Sequence, residues 1–132
     1  MTFIKSITAA ALTSAMTFSL INTAAAESSC NQYTTSYDRT FCFCKMIVES
    51  DKELNEVYKE LRENLDEETA EGLKLTQRKW IKYRNNQCEN NGTIQLQCNY
   101  GVNKSRTDYL RERLRECKSG VCQNSLVVKP SW

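Results

Sequence analysis

Seven cysteines constrain this chain more than any other feature, because all of them follow a segment with the form of an export signal. Residues 1–26 run from a short basic end containing Lys5, through an apolar stretch, to Ala24-Ala25-Ala26, the three-part pattern of a secretory signal peptide. Cysteines exported to an oxidising compartment form disulfides by default. We therefore expect cleavage after Ala26, a periplasmic or secreted location, and a disulfide-bonded mature domain. The odd count leaves at least one thiol unpaired or paired with another chain.

The mature chain is short and nearly neutral. Removing the first 26 of 132 residues leaves 106, which suits one small domain. The chain has 18 Lys and Arg against 16 Asp and Glu, and losing Lys5 brings the formal net charge to +1. This balance does not support bulk attraction to nucleic acid or to an anionic membrane. The apolar stretch of residues 1–26 is interrupted by Thr and Ser and falls short of the roughly 20 apolar residues that a spanning helix needs.

A helical period dominates the centre of the chain, at residues 73–88. Three- and four-residue steps put one set of side chains on a single helix face. That set comprises Leu73, Gln77, Trp80, Ile81, Arg84 and Cys88. The stretch contains no histidine and no acid that could act as a base, so we interpret it as scaffold.

The other periods complete an all-α prediction. A first helix is expected from about Phe41 to Leu65, and a third from about Val102 to Cys117. One proline and four glycines argue against a many-turned β-fold. The predicted architecture is a disulfide-stapled antiparallel helical hairpin plus a third helix, with the domain at residues 27–118 and a flexible tail at 119–132.

An acidic corner joins the first two helices. Asp66 is predicted to cap the second helix, and its first turn then holds Glu67, Glu68 and Glu71, where the helix dipole favours carboxylates. The cluster is therefore structural first. Its second interpretation is a docking patch for a basic partner.

If the corner is centred at residues 67–68 and the two helices pack antiparallel, residues whose numbers sum to about 135 face each other. Asp51 then faces Arg84 and predicts an interhelical ion pair. Asn55, Tyr58, Gln77 and Trp80 lie along the same seam, where the polar side chains are expected to satisfy one another's hydrogen bonds.

The segment between Cys88 and Cys98 contains Asn90-Asn91-Gly92, a turn signal. A Cys88–Cys98 bridge would close and stiffen this loop. A Cys117–Cys122 link is the corresponding local pair further on. Metal ligation is not expected, because the chain lacks histidine and C-x2-C pairs, and no other cofactor is indicated.

Three blocks of residues, in order and with matching spacing, resemble one known family. The blocks are Cys42, Asp51-Lys-Glu-Leu-Asn55, Tyr58 and Leu61; then Leu73-Lys74, Gln77, Trp80, Tyr83-Arg84 and Cys88; then Cys98, Arg106 and Leu110. Over roughly residues 30–114 the chain is similar to the bacterial periplasmic proteins named after the LprI-type lysozyme inhibitor.

The resemblance implies a protein-binding domain without catalytic residues, with lysozyme inhibition as the activity attached to the family name. The family's four usual cysteines fall on Cys30, Cys42, Cys88 and Cys98. Pairing of Cys30 with Cys42 and of Cys88 with Cys98 is preferred, and a cross-linked arrangement of the same four stays open. Cys44 is then the expected odd thiol, beside Cys117 and Cys122.

Three functions follow. The first is stoichiometric inhibition of a lysozyme, in which a rigid loop enters the enzyme's cleft and the acidic corner steers a basic target. The expected contacts are Asn90, Asn91, Thr93 and Ile94, with Glu67, Glu68 and Glu71 as a second patch. The second is an envelope interaction protein, immunity-type or chaperone-like, with another client. The third and remotest is a thiol redox protein that uses Cys42-Phe-Cys44.

Overall fold

The structure is a computed structural model that describes residues 30–132. It contains three long helices, α1 Ser36–Glu63, α2 Glu67–Cys88 and α3 Leu96–Lys118. A hairpin of two short strands, β1 Glu89–Asn90 and β2 Thr93–Ile94, separates α2 from α3, and a short helix, α4 Asn124–Val127, follows. The prediction of an all-α fold is confirmed. The expected signal peptide and its cleavage site lie outside the described residues.

Helix α1 begins five residues before its predicted start at Phe41. Its N-cap is Thr35, whose hydroxyl oxygen accepts a hydrogen bond from the backbone N–H of Asp38 at 3.0 Å. All of residues 31–41 are exposed, so the first turn of α1 has no buried apolar face that a hydropathy pattern could reveal. Capping, rather than burial, sets where the helix starts.

Helix α3 begins six residues before its predicted start at Val102. Cys98, in its first turn, is bonded to Cys88 at the end of α2. The inner face of its first turns carries the buried residues Asn99 and Asn103. Because these inner residues are polar, the hydropathy of residues 96–101 shows no helical period, and the prediction starts the helix only at Val102.

Helix α3 organises the packing. It packs most extensively against α1 and also against α2, whereas α1 and α2 meet directly at only a few positions. A groove therefore remains between α1 and α2. Ile81, which was predicted for the inner face, lines this groove and is 40 % exposed. The buried apolar core draws on all three long helices and on α4: Leu54, Leu61, Leu73, Trp80, Leu110, Leu114 and Val127.

Three disulfides staple the fold. Cys30 is bonded to Cys42, Cys88 to Cys98, and Cys117 to Cys122. The structure thus has the preferred local pairing and not the cross-linked alternative. Cys44 is the free cysteine and is exposed. Because Cys42 is engaged with Cys30, the two cysteines of Cys42-Phe-Cys44 do not form a pair with each other.

Residues 119–132 were expected to form a flexible tail, and the structure instead packs part of this segment, around Val127, on the core. Val127 is fully buried. The hydroxyl of Thr76 in α2 donates to the carbonyl oxygen of Val128 at 2.8 Å, and the hydroxyl of Tyr109 in α3 donates to that of Leu126 at 2.5 Å. Such long-range bonds from side chain to backbone leave no periodic signal in the sequence, so the tail could not be recognised as part of the fold.

Gly72 provides the space into which the tail packs. A Cβ atom built on Gly72 would lie 2.6 Å from Cγ1 of Val128. We expect Gly72→Ala to push the tail off α2 and to lower the free energy of unfolding by about 1–3 kcal/mol, the usual cost of overpacking. Urea unfolding followed by circular dichroism measures this change.

The matched control is Gly101→Ala, because Gly101 is also helical but has open space where its Cβ would be. There we expect a stabilisation of about 0.5–1 kcal/mol from the better helix propensity of alanine. If both variants were stabilised alike, Gly72 would have no part in holding the tail.

Candidate functional site

The segment after α2 forms a short, braced hairpin. Glu89 pairs with Ile94 and Asn90 with Thr93 in an antiparallel arrangement. The Cys88–Cys98 disulfide closes its base, with the two Cα atoms 5.4 Å apart, and the backbone N–H of Gln95 donates to the carbonyl oxygen of Cys88 at 2.7 Å. The hairpin is therefore tied to the ends of two long helices.

The hairpin turn uses the two residue types suited to it. Asn91 and Gly92 both have positive φ, 51° and 73°. Positive φ at both central positions of a two-residue hairpin is the type I′ geometry, which matches the twist of the strands and favours Asn-Gly. The local sequence thus prescribes one backbone shape for the tip.

The side chains expected to contact a partner are all on the surface. Asn90, Asn91, Thr93 and Ile94 are exposed, and Ile94 keeps 56 % of its surface accessible. The hairpin therefore offers amide and hydroxyl groups at and beside its turn, together with one apolar side chain nearer its base. This arrangement can enter a concave site with little loss of conformational entropy.

The acidic corner is only partly available to a partner. Asp66 accepts a hydrogen bond from the backbone N–H of Thr69 at 2.8 Å, and this bond places the pKa of Asp66 below its ordinary value. Glu71 is bonded to Lys74 at 2.9 Å, which lowers the pKa of Glu71, and Arg62 lies 3.6 Å away. Glu67 and Glu68 are exposed. Of the three predicted corner contacts, Glu71 has its charge balanced within the chain.

The hairpin and the corner lie at opposite ends of α2. The helix has 22 residues, which corresponds to about 33 Å at 1.5 Å per residue. The structure therefore does not bring the two predicted contact patches together. One narrow cleft cannot receive both.

The predicted seam between α1 and α2 contains a partly buried polar network. Nη1 of Arg84 lies 3.0 Å from Oδ1 of Asp51 and 2.9 Å from Oδ1 of Asn103, and donates to both. Nδ2 of Asn103 donates to the same Asp51 oxygen at 2.7 Å and to the hydroxyl of Ser50 at 3.1 Å. Asn103 is fully buried. It connects α3 to the ion pair and was not among the predicted seam residues.

A signal for Asn103 exists in the sequence. Asn99, Asn103, Arg106 and Leu110 follow one another at four-, three- and four-residue steps, and all are buried. The predicted helix starts at about Val102, so its expected inner face includes Arg106 and Leu110 but neither Asn99 nor Asn103.

The rest of the seam differs from the expectation. Oε1 of Gln77 accepts a hydrogen bond from Nε of Arg106 at 3.0 Å rather than from Tyr58 or Asn55. The expected hydrogen bonds among Asn55, Tyr58 and Gln77 are absent from the part of the chain that the structure describes. The reason is that α3 supplies Gln77 with a partner while α1 stands back across the groove. The guanidinium of Arg84 lies 5.2 Å from the centre of the Trp80 ring.

Within residues 30–132, no group of three or more His, Cys, Asp or Glu side chains is placed to hold a metal ion. Across the same residues, none of the helices combines the length and apolarity needed to cross a membrane.

The geometry defines a small, disulfide-stapled helical protein with a rigid exposed hairpin. The sequence model of the family described as lysozyme inhibitor LprI matches residues 26–116, well over half of the chain. The protein belongs to this LprI family. No curated protein and no solved structure matches the chain.

Proposed function

We propose that the mature chain is a stoichiometric inhibitor of lysozyme whose hairpin enters the enzyme's cleft. Membership of the LprI family supports the target class. The observation that carries the mode of binding is the hairpin itself, because it is exposed and fixed by the Cys88–Cys98 bridge and by a prescribed turn. Preorganisation of this kind lowers the entropic cost of association.

The chemistry of the tip suits such a cleft. Lysozyme and most other glycosidases cleave their substrate between two carboxyl groups. Asn90, Asn91 and Thr93 offer amide and hydroxyl donors to carboxylate oxygens, and hydrogen bonds to charged acceptors are stronger than neutral ones. Ile94 supplies an apolar group that is exposed in the free protein and would be buried in the complex.

The acidic corner has a separate role in this proposal. At about 33 Å from the hairpin end of α2, Glu67 and Glu68 act on the approach of a basic enzyme rather than inside its cleft. Charges at such a distance change the association rate and its dependence on salt more than the affinity. Glu71 contributes little, because Lys74 and Arg62 already surround it.

The test uses purified mature protein with its disulfides intact. Lysozymes of several classes are titrated in a cell-wall lysis assay, and binding is measured in parallel by calorimetry. We expect inhibition of at least one class, with an end point at one inhibitor per enzyme. Absence of both inhibition and binding heat at micromolar protein would refute the proposal. Complete inhibition at far less than one protein molecule per enzyme molecule would indicate catalytic inactivation rather than binding.

The proposal also places the protein outside the cytoplasm. Cleavage after Ala26 gives a mature chain that begins at Glu27. Mass spectrometry of protein taken from the periplasm or the medium checks this N-terminus.

A second candidate function is binding of an envelope client other than lysozyme. It is favoured by exposed apolar side chains on one face of α1, namely Tyr37 at 78 %, Phe41 at 65 % and Val48 at 67 %. This surface is distinct from the hairpin, so single variants separate the two functions. If Phe41→Asp weakens binding to a captured partner and Ile94→Asp does not, α1 is the interface and the lysozyme proposal fails for that partner.

A further inference from the structure

A second concave site lies where α2, α3 and the tail meet. This cavity has a volume of about 280 Å³ and is lined in part by Trp80, Tyr83, Arg106, Ser131 and Trp132. It does not include the hairpin, and it shares only Trp80 with the groove between α1 and α2. Its volume is just below the range of about 300–1,000 Å³ that is usual for small-molecule sites, so it suits only a small ligand.

Arg106 brings an unpaired cation to this cavity. The residue is 2 % exposed, and its Nε donates to Oε1 of Gln77. Both terminal nitrogens, Nη1 and Nη2, are buried without a hydrogen-bond partner. No acid of the described chain forms an ion pair with Arg106. Burial lowers the pKa of Arg106 to about 10, so the guanidinium still carries its charge at neutral pH.

The surroundings leave that charge only partly compensated. The guanidinium carbon lies 5.5 Å from the centre of the Tyr109 ring and 5.4 Å from that of Trp132. Aromatic ring faces attract the cation, but they do not accept hydrogen bonds from the N–H groups, which lie in the plane of the guanidinium. The hydroxyl of Ser131 is also buried without a partner. Unsatisfied buried polar groups are rare in folded proteins, and here two residues on one cavity have them.

We propose that this cavity binds a small organic carboxylate. The two free ends of the Arg106 fork match the two oxygens of a carboxylate, and the Ser131 hydroxyl adds a donor. Tyr83 and Trp132, whose ring centres are 6.0 Å apart, offer apolar surface to the rest of the ligand. This lining favours an organic acid over an inorganic anion. The inference stands independently of lysozyme inhibition.

Tryptophan fluorescence tests the proposal, because Trp80 and Trp132 both line the cavity. The probe is 3-phenylpropionate, added to mature protein in chloride buffer, and the control is 3-phenylpropanol, which has the same skeleton without the charge. We expect a saturable change with the acid and binding of the alcohol weaker by about tenfold or more. Equal responses to acid and alcohol, or no saturation with the acid in the millimolar range, would overturn the inference.

Two further arms identify the source of the carboxylate and the kind of anion. The dipeptide Ala-Phe with a free carboxyl group is compared with its amide, which lacks the charge. If the free peptide binds as tightly as 3-phenylpropionate, the site is assigned to peptide termini. Weaker binding of the peptide would assign it to free organic acids. Inorganic phosphate that binds as well as the acid would contradict the proposed preference for an organic ligand.

Variants link binding to the two unpaired residues. Ser131→Ala removes a hydroxyl that bonds nothing in the protein, so we expect unchanged thermal stability and binding weaker by about three- to tenfold. Ser125→Ala, on an exposed part of the tail, is the matched control. Arg106→Lys keeps the charge but loses the fork and is expected to weaken binding about tenfold or more. Wild-type affinity in folded Ser131→Ala and Arg106→Lys would overturn the proposal.

Discussion

Ile94→Asp is expected to raise the Kd for an inhibited lysozyme by about 30-fold or more, equivalent to about 2 kcal/mol or more of binding free energy. Ile94 is 56 % exposed in the free protein and pairs with Glu89, one position beyond the pair that flanks the hairpin turn. In the proposed complex it enters the cleft, where an aspartate would bury an unpaired charge opposite the enzyme's carboxylates. Calorimetry of variant and parent against the same enzyme measures the change.

The control for this variant is Phe41→Asp on α1. It makes the same kind of change at a side chain that is 65 % exposed but lies on a different surface. Both variants should unfold at the same urea concentration as the parent, because neither side chain is in the core. Undiminished inhibition by Ile94→Asp would remove the hairpin from the interface.

Asn103→Ala is expected to lower the free energy of unfolding by about 3–4 kcal/mol, at the upper end of single-residue effects. Asn103 is fully buried and bonds three side chains: Ser50 and Asp51 in α1, and Arg84 in α2. Alanine leaves a cavity and removes one partner from each of them, including the two members of a partly buried ion pair. Urea unfolding with linear extrapolation measures the loss.

Asn99→Ala provides an internal comparison one turn earlier in α3. Asn99 is also buried, at 8 % exposure, but its Oδ1 has no partner. Its removal is expected to change the free energy of unfolding by about 1 kcal/mol or less. Similar losses for the two variants would mean that helix burial, and not the network, accounts for the importance of Asn103.

The features that sequence reasoning recovered are local ones. The helical period of residues 73–88 and the capping of the helix by Asp66 both depend on residues only three or four positions apart. The structure has α2 with Asp66 as its N-cap, as expected. The Asn91-Gly92 turn is equally local, since positive φ at both residues follows from the residue types. Because the corner between α1 and α2 is short, counting residues outward from it also predicts that Asp51 faces Arg84. Oδ1 of Asp51 lies 3.0 Å from Nη1 of Arg84.

The features that were missed depend on distant partners. Asn103 is polar, and its burial becomes favourable only when Asp51 approaches from α1. Gln77 was expected on the inner face, but its hydrogen-bond partner is Arg106 of α3 rather than a residue of α1. The contacts of the tail were missed for the same reason, since its anchors are Thr76 in α2 and Tyr109 in α3. A hydropathic period records which residues avoid water, but not which polar residues find partners.

The free thiol of Cys44 gives the protein a natural attachment point for a reporter. Cys44 lies seven residues before Asp51, and the hairpin begins five residues after Arg84, the partner of Asp51. Because α1 and α2 run in opposite directions from a short corner, both segments extend toward the same end of the molecule. An environment-sensitive dye on this exposed thiol would lie toward the hairpin end of the molecule without replacing any hairpin residue. The unmodified sequence is thus already suited to a fluorescent sensor for docking at that end.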